Sequence, residues 1–357
     1  MQSYDIAVLP GDGIGPEVMN SASALLVALE SHTCRHFNLV AHPAGAQHYL
    51  DAGTALPDTT LEAARRADAI LFGAMGLPHV RGADGTEIVP QLDIRFALDL
   101  YAGVRPIRTW PGLPTPLADP RAAQIDLVLV RESTEGLFYA RGRGRVEPDA
   151  AYDTMKISRS GTARVCDFAF SLARLRKTHG KRGHVTNVDK ANVFTSMALW
   201  REVFTQRAAA YPDIATDHAY VDAMALNLVM KPWAYDVLVT ENMFGDILSD
   251  LIAALAGGMG MAPSADIGDH HGLFQPAHGT APDITGQGIA NPTAMMLSAA
   301  MMLDWLASRH ADTALADGAR AIEAAVQAAF ESGAVRPREF GGSSSTAEIT
   351  RAVIERL

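Results

Sequence analysis

Short apolar runs rich in β-branched residues recur along the chain, each followed by a longer stretch with helical character. Residues 4–10, 67–73, 125–131, 183–188 and 235–240 read as buried strands. Helices are expected from Pro16, over 91–101 and 162–176, from beyond Val193 to about Ala210, from Met243 onward, and over 315–331. Pro16 and Glu17 suit the first turn of the helix they open. Ser345-x-x-Glu348 is a capping box that opens a last helix. The apolar stretch 292–303 is too short to span a bilayer, is followed by Asp304, and reads as a buried Met-rich helix. Strands alternating with helices predict an α/β protein with central sheets flanked by helices.

The stretch Tyr235-Asp-Val-Leu-Val-Thr-Glu-Asn-Met-Phe-Gly-Asp-Ile-Leu-Ser-Asp250 carries the most chemistry. Glu241-Asn242 turns the chain from strand to helix. Asp246 and Asp250 are four apart, so on a helix they share one face and repel by a few tenths of a kcal/mol. A hard cation, Mg²⁺ or Mn²⁺, would turn that repulsion into binding. A solvated acidic face is the other reading, and on these residues alone the two stand level. Arg95, Arg105 and Arg131 are expected at strand or helix ends, with Pro106 holding Arg105 extended, and Tyr220-Val-Asp222 is expected to end a strand with a carboxylate. Each alone is an ordinary surface ion pair; as a set they could grip carboxylates.

Gly11-Asp-Gly-Ile-Gly15 follows the first strand but is GxGxG, not GxGxxG, and no acidic residue ends a second strand near 35–42. A tight turn with close backbone approach is expected there, not a dinucleotide fingerprint. The loop Phe274-Gln-Pro-Ala-His278-Gly-Thr-Ala-Pro-Asp283-Ile284 is long and rich in Gly, Pro and His, the profile of a functional loop. Arg141-Gly-Arg-Gly-Arg145, followed by an alternating run over 152–157, reads as a protruding β-arm between subunits.

Composition narrows the field. The 357 residues, 48% hydrophobic and 20% charged, suffice for two domains. A net charge of −10 argues against nucleic acid as partner. Cys34 and Cys166 build neither a disulfide framework nor a zinc pattern, which fits a reducing, cytoplasmic setting. No secretory signal is visible and no membrane segment is expected.

Four motifs in order carry a family resemblance: Leu9-Pro-Gly-Asp-Gly-Ile-Gly-Pro-Glu17, Val188-Asp-Lys-Ala-Asn192, Asn242-Met-Phe-Gly-Asp-Ile-Leu-Ser-Asp250 and His278-Gly-Thr-Ala-Pro-Asp283. Over essentially its whole length the chain resembles the β-decarboxylating dehydrogenases, the family of isocitrate and isopropylmalate dehydrogenases. The resemblance implies a two-domain, non-Rossmann α/β fold. One domain joins 1–100 to 257–357 on the cofactor side; the other, 101–256, holds metal and substrate, forms a homodimer with shared active sites and carries the arm near 139–160. It implies Mg²⁺ or Mn²⁺ on Asp246 and Asp250, with Asp222 from the partner chain, and Lys190, also from the partner, as the acid/base group. Arg95, Arg105 and Arg131, with Asn192, would hold the substrate carboxylates. NAD would lie on His278, Gly279, Thr280, Ala281, Asp283, Ile284 and Asn291, because Asp283 repels the 2′-phosphate of NADP. Ile88, Gln91, Leu92 and the partner's Val193 would meet the C3 substituent of a small hydroxy di- or tricarboxylate.

The resemblance thus implies NAD- and metal-dependent oxidation and decarboxylation of a 3-substituted malate, with 3-isopropylmalate favoured over isocitrate, homoisocitrate, tartrate or D-malate. A non-catalytic regulatory subunit is the alternative class. Two residues depart from the family pattern: Phe138 stands where a tyrosine is usual, with Tyr139 next to it but, in a strand, facing the other way, and Gln275 stands where a glutamate is usual.

Overall fold

The computed structural model describes residues 2–83 and 85–357. In chain order it begins with β1 (Gln2–Gly11), α1 (Gly15–Thr33), β2 (Arg35–Ala41), α2 (Ala46–Ala52), α3 (Asp58–Arg66), β3 (Ala69–Ala74) and α4 (Pro90–Ala97). There follow β4 (Ala102–Arg108), β5 (Asp126–Glu132), β6 (Arg145–Glu147), β7 (Ala150–Tyr152), α5 (Arg159–Thr178), β8 (His184–Asp189), α6 (Thr195–Ala208), β9 (Ala215–Tyr220), α7 (Val221–Met230), β10 (Val237–Thr240) and α8 (Asn242–Ala256). The chain closes with β11 (Pro263–Ile267), β12 (Gly272–Pro276), α9 (Thr293–His310), α10 (Thr313–Glu331) and α11 (Thr346–Ile354).

The elements fall into two compact units. Met1–Leu98, Trp110–Pro114 and Gly257–Leu357 make the first; Asp99–Thr109 and Thr115–Ala256 make the second. In the first, strands run in the order β2-β1-β3-β12-β11, parallel except for the antiparallel β11–β12 pair. Its core centres on α9, whose Met295, Met296, Met302 and Leu303 are fully enclosed. That helix is apolar nearly all round, as a helix packed on several sides must be. In the second unit the order is β4-β5-β10-β8-β9, with only β4 antiparallel. Leu127 and Leu129 of β5, Leu238 of β10, and Leu248 and Ile252 of α8 form its core. Strands β6 and β7 make a separate exposed antiparallel ribbon.

Four local expectations are corrected. The helix expected to reach residue 101 ends at Ala97, because Asp99 takes a left-handed conformation (φ 49°) with its carboxylate on Arg164. Asp222 lies in the first turn of α7, not at a strand end. Arg105 sits mid-strand in β4, paired with Leu129, not at an element end. Phe138 and Tyr139 lie on a 3₁₀ turn, Leu137–Ala140, so strand alternation does not govern where they point. The capping box at Ser345 and Glu348 forms as expected.

Candidate active site

In the second unit, chemistry gathers where β5 meets the start of α8. Arg131 on β5 is almost fully buried and donates through Nε and Nη2 to the amide oxygen of Asn242, at 2.9 and 2.7 Å. It also pairs with Asp246, whose side chain is half exposed. The helix approaches this closely because Gly245 has no side chain: a Cβ there would lie 2.7 Å from Arg131 Cγ. Phe138 stacks on the same guanidinium, its ring centroid 4.9 Å from Arg131 Cζ. The helix start is capped by the buried Glu241 carboxylate, which accepts from the amides of Met243 and Phe244.

Asp250 lies one turn beyond Asp246. Partial burial and the neighbouring Asp246 charge raise its pKa, against the pull of Arg105 and Arg131. Asp250 still feels a net excess of negative charge and burial, and a hard divalent cation shared with Asp246 would offset it. Among the described residues no three His, Cys, Asp or Glu side chains converge as a complete metal site.

Lys190 follows β8, and its Nζ donates to Asp222 Oδ1 at 2.6 Å. The Asp222 side chain is two-thirds exposed, and Lys190 holds its pKa down. The residue before the lysine is a fully buried anchor: Asp189 takes two hydrogen bonds from Arg201, at 2.8 and 2.7 Å, and one from the Asn187 amide at 2.6 Å. Asn187 in turn accepts from the Trp200 indole at 2.6 Å. A rigid strand end thus presents Lys190, while Asn192 and Val193 stand exposed on the turn after it.

In the first unit, α4 carries Arg95 in its last turn and Gln91 four residues before it. Arg95 is buried and donates to Asp266 at 3.0 Å. Gln91 Oε1 is a buried acceptor without a hydrogen-bond partner among the described residues. Leu92 is partly buried beside it in sequence. Ile88 is partly buried and packs against the cluster of Ala46, Leu77 and Val80.

The loop after β12 is braced by the first glycine motif. Ile14 donates its amide to the Thr280 carbonyl at 2.9 Å, and the Thr280 hydroxyl donates to the Gly76 carbonyl at 2.7 Å. Gly13 has φ 59°, and a Cβ there would lie 2.1 Å from the Thr280 oxygen. The close backbone approach expected of this motif is found, and what it approaches is the functional loop. Sequence reasoning missed Asp12, whose buried carboxylate accepts the amides of Ala46, Gln47 and Gly76 at 2.7–2.9 Å. Its position inside the glycine motif was the available signal.

Burial lowers the His278 pKa, which favours the neutral imidazole. With Nδ1–H on the Gly279 carbonyl at 2.9 Å, Nε2 is left as an acceptor with no partner among the described residues. Asp283 is exposed on a 3₁₀ turn with Ile284, just after Ala281 in left-handed conformation. Asn291 does not belong with these open groups. Its amide nitrogen donates to Glu339 at 2.8 Å and its oxygen accepts from Thr293, so it ties the start of α9 to the chain before α11.

The two-unit α/β scaffold presents buried arginines, an acidic helix face and a lysine–aspartate pair. Residues 5–353 match the family model described as isocitrate/isopropylmalate dehydrogenase. The chain belongs to that family, whose members are decarboxylating dehydrogenases acting on a CH–OH group, in general with a metal ion and NAD. It is 43% identical over 331 residues to a 3-isopropylmalate dehydrogenase of Oceanobacillus iheyensis, covering 90% of this chain and 86% of that one. A 3-isopropylmalate dehydrogenase of Salinibacter ruber is 44% identical over 92% of this chain and 89% of its own length. Among solved structures, isocitrate dehydrogenase from Methylococcus capsulatus superposes with a TM-score of 0.88 at 37% identity, covering 99% of both chains. A Thermus thermophilus protein, TT0538, gives 0.89 at 36%, covering 99% of this chain and 68% of that one. The α/β fold and the family expected from the four motifs are borne out.

Proposed function

We propose that this chain oxidises and decarboxylates a 3-substituted malate of the 3-isopropylmalate type, using NAD⁺ and Mg²⁺ or Mn²⁺. The observation that carries this reading is the corner where Arg131, Asp246 and Asp250 stand together on β5 and α8, beside the charge of Arg105. It joins a carboxylate-binding cation to a two-carboxylate cation site, which is what a metal-chelated hydroxy acid needs. The names and identities of the relatives favour the isopropylmalate substrate.

The roles follow from chemistry. Arg95, Arg105 and Arg131 neutralise and orient the substrate carboxylates. Asp246 and Asp250 would hold the metal, with Asp222 of a second copy as third carboxylate. Lys190 of that same second copy would take the C2 hydroxyl proton, its Nζ steered by the adjoining Asp222. When bound, the metal supplies Lewis acidity at the hydroxyl oxygen and NAD⁺ supplies the hydride acceptor. His278 Nε2 offers an acceptor to the adenine amine, and exposed Asp283 accepts from a ribose hydroxyl while repelling a 2′-phosphate.

A homodimer fits the same reading. Leu226 and Met230, four apart on α7, and Ile247 on α8 are more than 60% exposed. Large side chains in such a row mark an interface. The net charge of −10 does not favour nucleic acid, and no helix among the described residues is long and apolar enough to cross a membrane. Two free cysteines support a cytoplasmic setting.

One observation favours a second substrate class. The open Gln91 Oε1 asks for a donor, which isocitrate, tartrate or malate relatives could meet better than an isopropyl group. NADH absorbance with Mn²⁺ and a panel of 2-hydroxy acids decides between them. The expected result is fastest turnover with 3-isopropylmalate and a kcat/KM preference for NAD⁺ over NADP⁺. No turnover with any acid would favour the regulatory-subunit alternative.

A further inference from the structure

The antiparallel pair β11–β12 places two buried polar side chains on one face of the sheet. Asp266 on β11 is completely enclosed, and Gln275 on β12 is buried one step along the diagonal, since Ser264 is the residue opposite Gln275. Asp266 Oδ2 accepts two hydrogen bonds, from Arg95 Nε at 3.0 Å and from Gln275 Nε2 at 2.8 Å. The Gln275 main chain is itself fixed, its carbonyl accepting the Ser298 hydroxyl of α9 at 2.7 Å. The relay therefore runs from α9 through β12 and β11 to the guanidinium of α4.

An amide nitrogen donates to a carboxylate at every pH. A glutamate at position 275 could donate only while protonated, because two buried carboxylates within hydrogen-bond distance cannot both ionise without a large cost. Asp266 from β11 and Arg95 from α4 are charged groups of this relay. Strand β3, on the other side of β12, carries no ionisable residue, and the Ser298 hydroxyl of α9 meets the Gln275 main-chain carbonyl.

We propose that Gln275 is a positioning residue for substrate: it fixes Asp266, Asp266 fixes Arg95, and its amide keeps this hydrogen-bond relay free of titration across the working pH range. This rests on the reading of Arg95 as a substrate-carboxylate residue. Gln275 acts on affinity for the hydroxy acid and not on the proton and hydride steps.

Three variants test it: Gln275→Leu, Gln275→Glu and Arg95→Lys. Each is examined for its melting transition, for binding of 3-isopropylmalate with Mg²⁺ by calorimetry, and for KM and kcat at several pH values between about 6 and 9, a range wide enough to expose a coupled carboxyl pair. Gln275→Leu should weaken binding about tenfold at every pH, the loss of roughly one well-made hydrogen bond, with kcat little changed. Gln275→Glu should bind nearly as the native protein at the acid end and lose affinity as pH rises, adding an ionisation the native profile lacks. Should Gln275→Leu not fold, the acid-to-alkaline change within Gln275→Glu carries the test alone. A Gln275→Glu profile parallel to the native one overturns the proposal, as does native affinity in Gln275→Leu. Weakened binding in Arg95→Lys with both Gln275 variants native would sink only this inference. Unchanged binding in Arg95→Lys would sink the reading of Arg95 itself.

Discussion

Two buried arginines in this protein are held in opposite ways. Arg95 meets Asp266, a carboxylate sealed from solvent whose Oδ2 also accepts from Gln275. Arg131 meets Asp246, a carboxylate half in water on an exposed helix face, and keeps Asn242 and the Phe138 ring as further partners. The first pairing cannot be exchanged without leaving a buried charge. The second can: if Asp246 turns to a metal ion, Arg131 still has an amide oxygen and an aromatic face. A fixed cation suits permanent recognition of a substrate carboxylate, and an exchangeable one suits a corner where cation, metal and substrate arrive together.

The largest expected effects separate the two corners. Asp246→Asn should cost most of the activity, about 10³-fold or more, as loss of a metal ligand does. It should change stability little, because the partner it deserts is satisfied elsewhere. Asp266→Asn should do the reverse in order of cause: about 3 kcal/mol or more of stability is lost, since it strands a buried guanidinium. Chemical denaturation alongside NADH assays checks both, and equal stability losses would erase the difference between the two corners. Excess chelator should mimic Asp246→Asn and leave the melting of Asp266→Asn unaltered. Full activity in chelator would remove the metal from the Arg131 corner.

A smaller effect concerns the residue after Arg131. Burial raises the Glu132 carboxyl from 4.5 to about 7, against the hydrogen bonds it accepts from Thr134 and Glu135. The native state therefore holds a proton that the unfolded chain releases near the ordinary value. The contribution is full below that value and is lost as pH rises through the native pKa, a swing of up to about 3 kcal/mol. Glu132→Gln stays neutral in both states. The stability of the native protein relative to this variant should fall between about pH 4.5 and 7 and then level off. A flat difference would mean the carboxyl is ionised throughout.

The smallest effect tests the aromatic partner. Phe138→Leu keeps the bulk and removes the π face from Arg131, at a cost of about 0.5–1 kcal/mol in substrate affinity, or roughly two- to fivefold in KM. A change in kcat with KM constant would instead give the ring a part in the chemistry. Phe138→Tyr, which adds a proton donor, should then also act on kcat.

Some of this was readable from residues alone. Alternating apolar strands and helices, the capping box at Ser345 and the buried Met-rich helix follow from local pattern, because burial and capping impose a period or a spacing. The shared face of Asp246 and Asp250 is a property of any α-helix. The glycine motif announced a close approach but not its object, since Gly13 meets Thr280 more than 260 residues away. Gln275 and Phe138 were visible only as departures from a family pattern. Their partners, Asp266 with Arg95 and Arg131, come from other strands and helices, and no local rule links them. The likeness of Arg95 and Arg131 in sequence and their difference in the folded chain share one cause. Helix and strand type are set within a few residues, whereas which carboxylate is sealed and which stays in water depends on how distant elements pack.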